Sequence, residues 1–243
     1  MRDIYKIGGK AIEIESVHEE IHQLCRDYRY SGDIDFSVKT EQAAIDFERE
    51  KSIAEDKKEG IPIRKFGDSY LETLAVYRQI AEHMIEYDTL LFHGSVIAVD
   101  GTGYLFTAKS GTGKSTHTRL WREYFGERAV MVNDDKPLLE VTENGVIVYG
   151  TPWDGKHHLS NNIAVPLKAI CILGRAEKNH IEKITTSTAL PMLIQQSYRS
   201  ADAGKMQKIL KIINGISEKV SLYKAGFNME IESAEMAYNV MKG

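Results

Sequence analysis

Hydrophobic and polar residues follow two periods along this chain. Ile12 and Ile14 alternate with Glu13 and Glu15, and Ile34, Phe36 and Val38 alternate with Asp33, Asp35 and Ser37, so each stretch predicts a half-buried strand. Residues 18–28 between them predict a helix, and the charge-dense stretch 41–60 predicts a solvated helix running into a flexible loop at Gly60. Across residues 69–87, Leu71, Leu74, Ala75, Ile80, Ala81, Met84 and Ile85 recur at near-helical spacing behind Asp68 or Ser69 as a cap.

From Leu90 the pattern changes to short apolar runs, at 90–99 (interrupted by His93-Gly94-Ser95), 104–106, 129–132, 146–149, 167–173 and 222–227. Such runs predict buried strands. Helices are expected from Lys114 and over 188–198, 205–220 and 231–241. Asp100-Gly101-Thr102-Gly103 predicts a tight turn joining the strand 90–99 to the next. Strands alternating with helices predict an α/β fold, a mixed sheet flanked by helices.

With 42% hydrophobic and 27% charged residues in 243, the chain can build an ordinary globular core. A net charge of −4 gives no electrostatic footprint for nucleic acid or an anionic membrane. Residues 1–10 lack an apolar leader core and no stretch has the apolar length of a membrane span, so a cytoplasmic protein is expected. Cys25 and Cys171 are far apart and outside any C-x-x-C spacing, which predicts reduced, structural thiols.

The chemistry concentrates after the apolar run Tyr104-Leu105-Phe106. There the sequence reads A-K-S-G-T-G-K-S-T from Ala108 to Thr116, a small loop leading at once into a helix. Glycines let successive backbone N–H groups converge on an anion, and a helix start adds partial positive charge. Ser110, Gly111, Thr112, Gly113, Lys114, Ser115 and Thr116 are therefore candidate phosphate-binding residues, with Lys114 on the outer phosphates and the Ser115 hydroxyl on Mg²⁺. Ala108 replaces the first glycine of the full motif and adds one methyl group. The plainer reading is a turn joining strand to helix.

Two carboxylates, Asp134 and Asp135, follow Asn133 at the end of the strand 129–132, where a metal ligand or general base is expected in an open α/β sheet. Side chains alternate along a strand, so the two must face different ways. An Asn-Asp-Asp turn is the competing reading. His93 falls on the strand expected beside the loop strand. Trp153, Lys156, His157 and His158, within Gly150-Thr151-Pro152-Trp153-Asp154-Gly155-Lys156-His157-His158, are candidate substrate contacts. Arg175 and Arg199 are further cations able to reach phosphate. His18-Glu19-Glu20-Ile21-His22 satisfies H-E-x-x-H, yet a polar helix meets that pattern by chance and no third ligand is evident.

With His93-Gly94, the S-G-T-G-K-S loop and Asn133-Asp134-Asp135 in order, residues 91–135 resemble the HPr kinase/phosphorylase family and, more broadly, the phosphoenolpyruvate carboxykinase-like P-loop nucleotide-binding fold. Where that family has a later glycine-rich segment, G-T-P-W-D-G-K-H-H stands here. The chain, over about 91–227, looks more like divergent HPr-kinase-related proteins found beside peptide-modification genes in bacteria. The resemblance implies Lys114 and Ser115 as phosphate and Mg²⁺ ligands, Asp134 or Asp135 as acceptor of the substrate hydroxyl proton, with Asp135 also a metal candidate, and His93 as the partner of that carboxylate. It also implies a homo-oligomer.

The resulting expectation is a small α+β module over 1–66 and a nucleotide-binding kinase domain over 67–243, connected through the helix 69–87. The kinase would use Mg²⁺ and ATP, or GTP or pyrophosphate, to phosphorylate a hydroxyl of a small molecule, peptide or protein serine. The rival is a non-catalytic nucleotide-sensing module acting with a partner protein. Decarboxylating carboxykinase chemistry lacks a second metal-binding cluster.

Overall fold

The computed structural model describes residues 1–155 and 157–243. The chain forms two compact units, Met1–His83 and Met84–Gly243.

In the first unit, β1 (Arg2–Ile7), β2 (Lys10–Glu15), α1 (Glu20–Leu24), β3 (Phe36–Lys39), α2 (Gln42–Glu59) and α3 (Asp68–Met84) follow in order, the last residue of α3 falling at the break between units. β2 lies between β1, antiparallel to it, and β3, parallel to it. The β1–β2 turn is Gly8-Gly9, both at positive φ, a conformation that glycine adopts without a Cβ penalty. Ile12, Ile14 and Val38 are buried, as their alternation requires. β1 was not visible in the periodicity because only Tyr5 and Ile7 carry its buried face. The helix expected over 18–28 is shorter. α1 begins only at Glu20, and a 3-10 turn, Arg26–Tyr28, follows Cys25.

α3 is counted with the first unit. Its buried Glu72 accepts hydrogen bonds from the backbone N–H groups of Val17 and His18, both at 2.7 Å, and its Asp68 pairs with Arg49 of α2 at 2.7 Å.

The second unit runs β4 (Thr89–Leu91), β5 (Ser95–Val99), β6 (Thr102–Thr107), α4 (Lys114–Phe125), β7 (Ala129–Asn133), β8 (Leu138–Thr142) and β9 (Gly145–Tyr149). It continues through β10 (Ala164–Arg175), β11 (His180–Lys183), α5 (Thr186–Gln196), α6 (Ala203–Lys219), β12 (Ser221–Phe227) and α7 (Glu232–Met241). Its sheet is mixed. β10 pairs at its start with β9, antiparallel, and after an irregularity between Leu167 and Ala169 runs parallel to both β6 and β12. β5 is antiparallel to β6 and to β7, so β6, β7, β10 and β12 all run the same way. The β5–β6 hairpin turns at Asp100 and Gly101, both at positive φ, the geometry that matches the twist of the flanking strands.

Alternation divides the strands between two layers. Ile97, Val99, Tyr104, Phe106 and Cys171 pack with Trp121, Phe125, Ala237 and Met241 of α4 and α7. Val96, Ala98, Leu105, Ile170 and Leu222 pack with Leu193, Ile209, Ile213 and Ile216 of α5 and α6. The sheet is covered on both sides, which is why these strands read as unbroken apolar runs. Both cysteines are buried and unpaired, and burial pushes both thiols up, away from thiolate chemistry. Among the described residues no helix is long and apolar enough to cross a membrane.

Candidate functional site

The site lies at the carboxyl ends of β6 and β7. β6 ends at Thr107, Ala108 is buried, and the chain then turns through Gly111 and Gly113, at φ 75° and 120°, into α4 at Lys114. A Cβ built on either glycine meets nothing within 4 Å, so the space above the loop is open and only backbone conformation demands glycine there. Thr112 donates its hydroxyl to the Lys109 carbonyl at 2.8 Å, closing the loop on itself. Arg175, at the end of β10, donates through Nε to the Thr112 carbonyl at 3.1 Å and through Nη2 to the Gly111 carbonyl at 2.5 Å. Those contacts turn the Gly111 and Thr112 carbonyls toward Arg175, while the Thr112 N–H donates to the Lys109 carbonyl at 3.3 Å. Arg175, able by its charge to reach phosphate, uses its guanidinium here to brace the loop.

Lys114 stands in the first turn of α4 with its ammonium partly buried. Its hydrogen bond to the Ala108 carbonyl is long, 3.4 Å. Burial lowers its pKa, against the attraction of Asp135 and together with the repulsion of Lys136. A desolvated cation so weakly satisfied favours an arriving anion. Ser110 and Ser115 are exposed on either side of Gly113.

His93 and Asp135 come together by backbone pairing. Gly94 donates its N–H to the Asp135 carbonyl at 3.0 Å, and His93 Nε2 lies 3.2 Å from Asp135 Oδ1. A Cβ on Gly94 would stand 3.0 Å from Leu105 Cδ2 and 3.1 Å from the Phe106 carbonyl oxygen, so glycine lets the His93 segment run close to β6. Asn133, fully buried, shapes the other side. Its Oδ1 accepts from the N–H groups of Asp135 at 2.8 Å and Lys136 at 2.6 Å, while its Nδ2 donates to Thr151 Oγ1 at 3.1 Å. This Asx turn points the two aspartates apart. The turn reading of Asn-Asp-Asp and the site reading are thus compatible.

Asp135 faces the loop. Burial acts to raise its pKa, but the His93 hydrogen bond and the charge of Lys136, whose Nζ is 3.4 Å from Oδ2, outweigh it and hold the carboxyl below its ordinary range. Asp134 is 4% exposed and accepts from the Gly155 N–H at 2.5 Å through Oδ1, while among the described residues its buried Oδ2 has no hydrogen-bond partner. Burial raises its pKa, partly opposed by the Gly155 N–H. A Cβ at Gly155 would sit 2.6 Å from Asp134 Oδ2, so glycine is required for this approach.

The segment after β9 is therefore joined to the site through Asp134. Trp153 is buried, and Asp154 is held inward by Ser160 Oγ at 2.8 Å and His158 Nδ1 at 2.9 Å. His157 and His158 are exposed, and Lys156 lies outside the described residues. Lys136 was missed from the sequence, although its place directly after the paired aspartates was a readable signal. Among the described residues, no three His, Cys, Asp or Glu side chains are placed to hold a metal ion together. H-E-x-x-H does not make such a site, because His18 precedes α1 and both ring nitrogens of His22 are engaged, Nδ1 with Tyr5 Oη at 2.7 Å and Nε2 with Ser16 Oγ at 2.9 Å.

Fold and site define a mixed α/β protein carrying a strand–glycine loop–helix unit beside a histidine–aspartate pair. Residues 66–211 match the family described as SynChlorMet cassette protein ScmC, and the chain belongs to that family. The chain is also similar to the Hpr(Ser) kinase/phosphatase from Coxiella burnetii, at 14% identity and a TM-score of 0.33 over 63% of this chain and 99% of that one. At that distance, function has to be read from the side chains of this protein. No curated protein matches the sequence.

Proposed function

We propose that this protein is a Mg²⁺-dependent kinase that moves the terminal phosphoryl group of a nucleoside triphosphate to a hydroxyl of a small molecule, peptide or protein serine. The observation that carries the reading is the His93–Asp135 pair, 3.2 Å apart, beside an open glycine loop whose Lys114 ammonium is desolvated and weakly bonded. Loop N–H groups, the α4 start and Lys114 suit a polyphosphate. Ser115 and Asp135 supply oxygen donors, the ligand chemistry Mg²⁺ requires, and bound Mg²⁺ would neutralise charge on the phosphates.

Asp135 accepts the proton of the attacking hydroxyl while the hydroxyl oxygen bonds to the terminal phosphorus and the bond from that phosphorus to the bridging oxygen breaks, leaving the nucleoside diphosphate. A carboxyl held below its ordinary range is ionised at neutral pH, and it takes the hydroxyl proton as the new bond to phosphorus makes that proton acidic. His93 orients it. Asp134 holds Gly155, and the exposed His157 and His158 are available to an acceptor.

The test is transfer of the terminal phosphoryl group from each of ATP, GTP and pyrophosphate, with Mg²⁺, to a panel of hydroxyl compounds and serine peptides. Transfer that Asp135→Asn abolishes while triphosphate still raises the melting temperature supports the kinase. Binding with no transfer to any acceptor would instead favour the nucleotide-sensing module. No stabilisation by any donor would mean that the loop is a structural turn.

A further inference from the structure

Beside the glycine loop, on the α4 side, is a cavity of about 540 Å³, well within the range of small-molecule sites. Its walls come from Thr116, His117 and Leu120 of α4, from Leu173 and the turn after β10, and from Phe227 to Met229 after β12. It opens at the carboxyl ends of the parallel strands β6, β10 and β12, where open α/β sheets hold ligands. The lining is mostly apolar, with Met229 exposed at the rim.

His117 gives this wall a fixed polarity. An indole N–H can only donate, and Trp121 Nε1 lies 3.0 Å from His117 Nε2, so Nε2 is the bare nitrogen and the ring proton is on Nδ1. Burial pushes the imidazole down to about 3, so it stays neutral. The ring is stacked on Phe227, centroids 4.8 Å apart and planes within 8°, and set edge-on to Phe106, which holds its orientation. Among the described residues Nδ1–H has no acceptor. The ring is 4% exposed and its Nδ1–H is not sealed, so the donor is open to an arriving acceptor.

We propose that this cavity seats the nucleobase of the triphosphate, with the apolar walls against its faces and His117 Nδ1–H donating to a ring nitrogen or carbonyl oxygen. The inference rests on the nucleotide reading above and deepens it, because pyrophosphate would leave both the walls and the donor unused.

The experiment compares binding of ATP, GTP, CTP, UTP and inorganic tripolyphosphate, each with Mg²⁺, to wild type, His117→Phe and Leu120→Trp. At least one nucleotide is expected to bind tenfold or more tighter than tripolyphosphate, an advantage of roughly the size that burying a base supplies. Leu120→Trp, which adds bulk inside the cavity, removes that advantage and leaves tripolyphosphate binding unchanged. His117→Phe keeps the ring stack and weakens the favoured nucleotide about fivefold to tenfold, the value of one hydrogen bond. Equal binding of tripolyphosphate and every nucleotide overturns the base site and leaves the phosphate site intact. Failure of all five to bind overturns both. Should His117→Phe not fold, 1-, 3- and 7-deaza forms of the tighter-binding purine triphosphate replace it on wild type. Loss of affinity with one of them, or, where the base carries a carbonyl, with the analogue lacking that oxygen, supports the donor, and equal affinity for all of these removes it.

Discussion

Each compact unit contains a cluster that combines histidine with a carboxylate, and the two clusters end differently. In the first unit, Glu72 is fully buried, accepts from the N–H groups of Val17 and His18, and also takes the Thr40 hydroxyl, while His22 uses both nitrogens on Tyr5 and Ser16. In the second unit, Lys114 makes among the described residues one long bond, to a carbonyl, and His93 and Asp135 stay 28% and 32% exposed. A polar group whose partners are all internal stabilises a fold. One left with capacity and access has something still to bind. Residue identity alone does not separate the cases, since the first cluster carries the more conspicuous metal motif.

The largest expected difference is in chemistry. Asp135→Asn lowers the transfer rate about 10²–10⁴-fold and costs about 1 kcal/mol of stability at neutral pH, too little to account for the rate, measured by turnover beside thermal unfolding. Lys114→Ala loses about 10²–10³-fold in kcat/KM together with triphosphate binding. Glu72→Ala does the reverse. It strands two backbone donors and the Thr40 hydroxyl and costs about 3 kcal/mol of stability in denaturant titration, with transfer per folded molecule unaffected. A large activity loss in Glu72→Ala at full folding would erase the distinction between the clusters.

A smaller effect is read in the pH profile. Asp135 is held below its ordinary range, so the stability it contributes is present above its unfolded pKa and lost as pH falls through the depressed folded value. Activity should persist into the same acid region. His93→Ala removes the largest opposition to burial, so the acid limb of kcat/KM moves to higher pH. An unmoved limb would mean that His93 does not act on Asp135. Asp134 carries the opposite sign. Its folded pKa is raised, so the wild type loses stability as pH climbs from the ordinary carboxylate range through that raised value. Asp134→Asn, which keeps an acceptor for Gly155, gains under about 1 kcal/mol at neutral pH and nothing in strong acid.

Much of the second unit was readable in one dimension. The strands at Leu105, Ile170 and Leu222 are covered on both faces, so their apolar runs stood out, and the Asp100-Gly101 turn declared itself by composition. β1, β8 and β11 did not, because they are short and part-exposed, and their apolar residues are too few to establish a period. Lys136 escaped because its meaning depends on which charge it meets.

By itself, the sequence determined the order strand, glycine loop, helix, then paired aspartates, because backbone freedom at Gly111 and Gly113 and side-chain alternation at Asp134 and Asp135 are local properties. Only the tertiary structure decided which aspartate meets His93, that Arg175 braces the loop, that His22 is sealed by Tyr5 and Ser16, and that His117 walls a cavity. Those contacts join residues distant in the chain, such as Arg175 and Gly111, or depend on what the fold leaves unsatisfied. Both are set by packing, which no local period encodes.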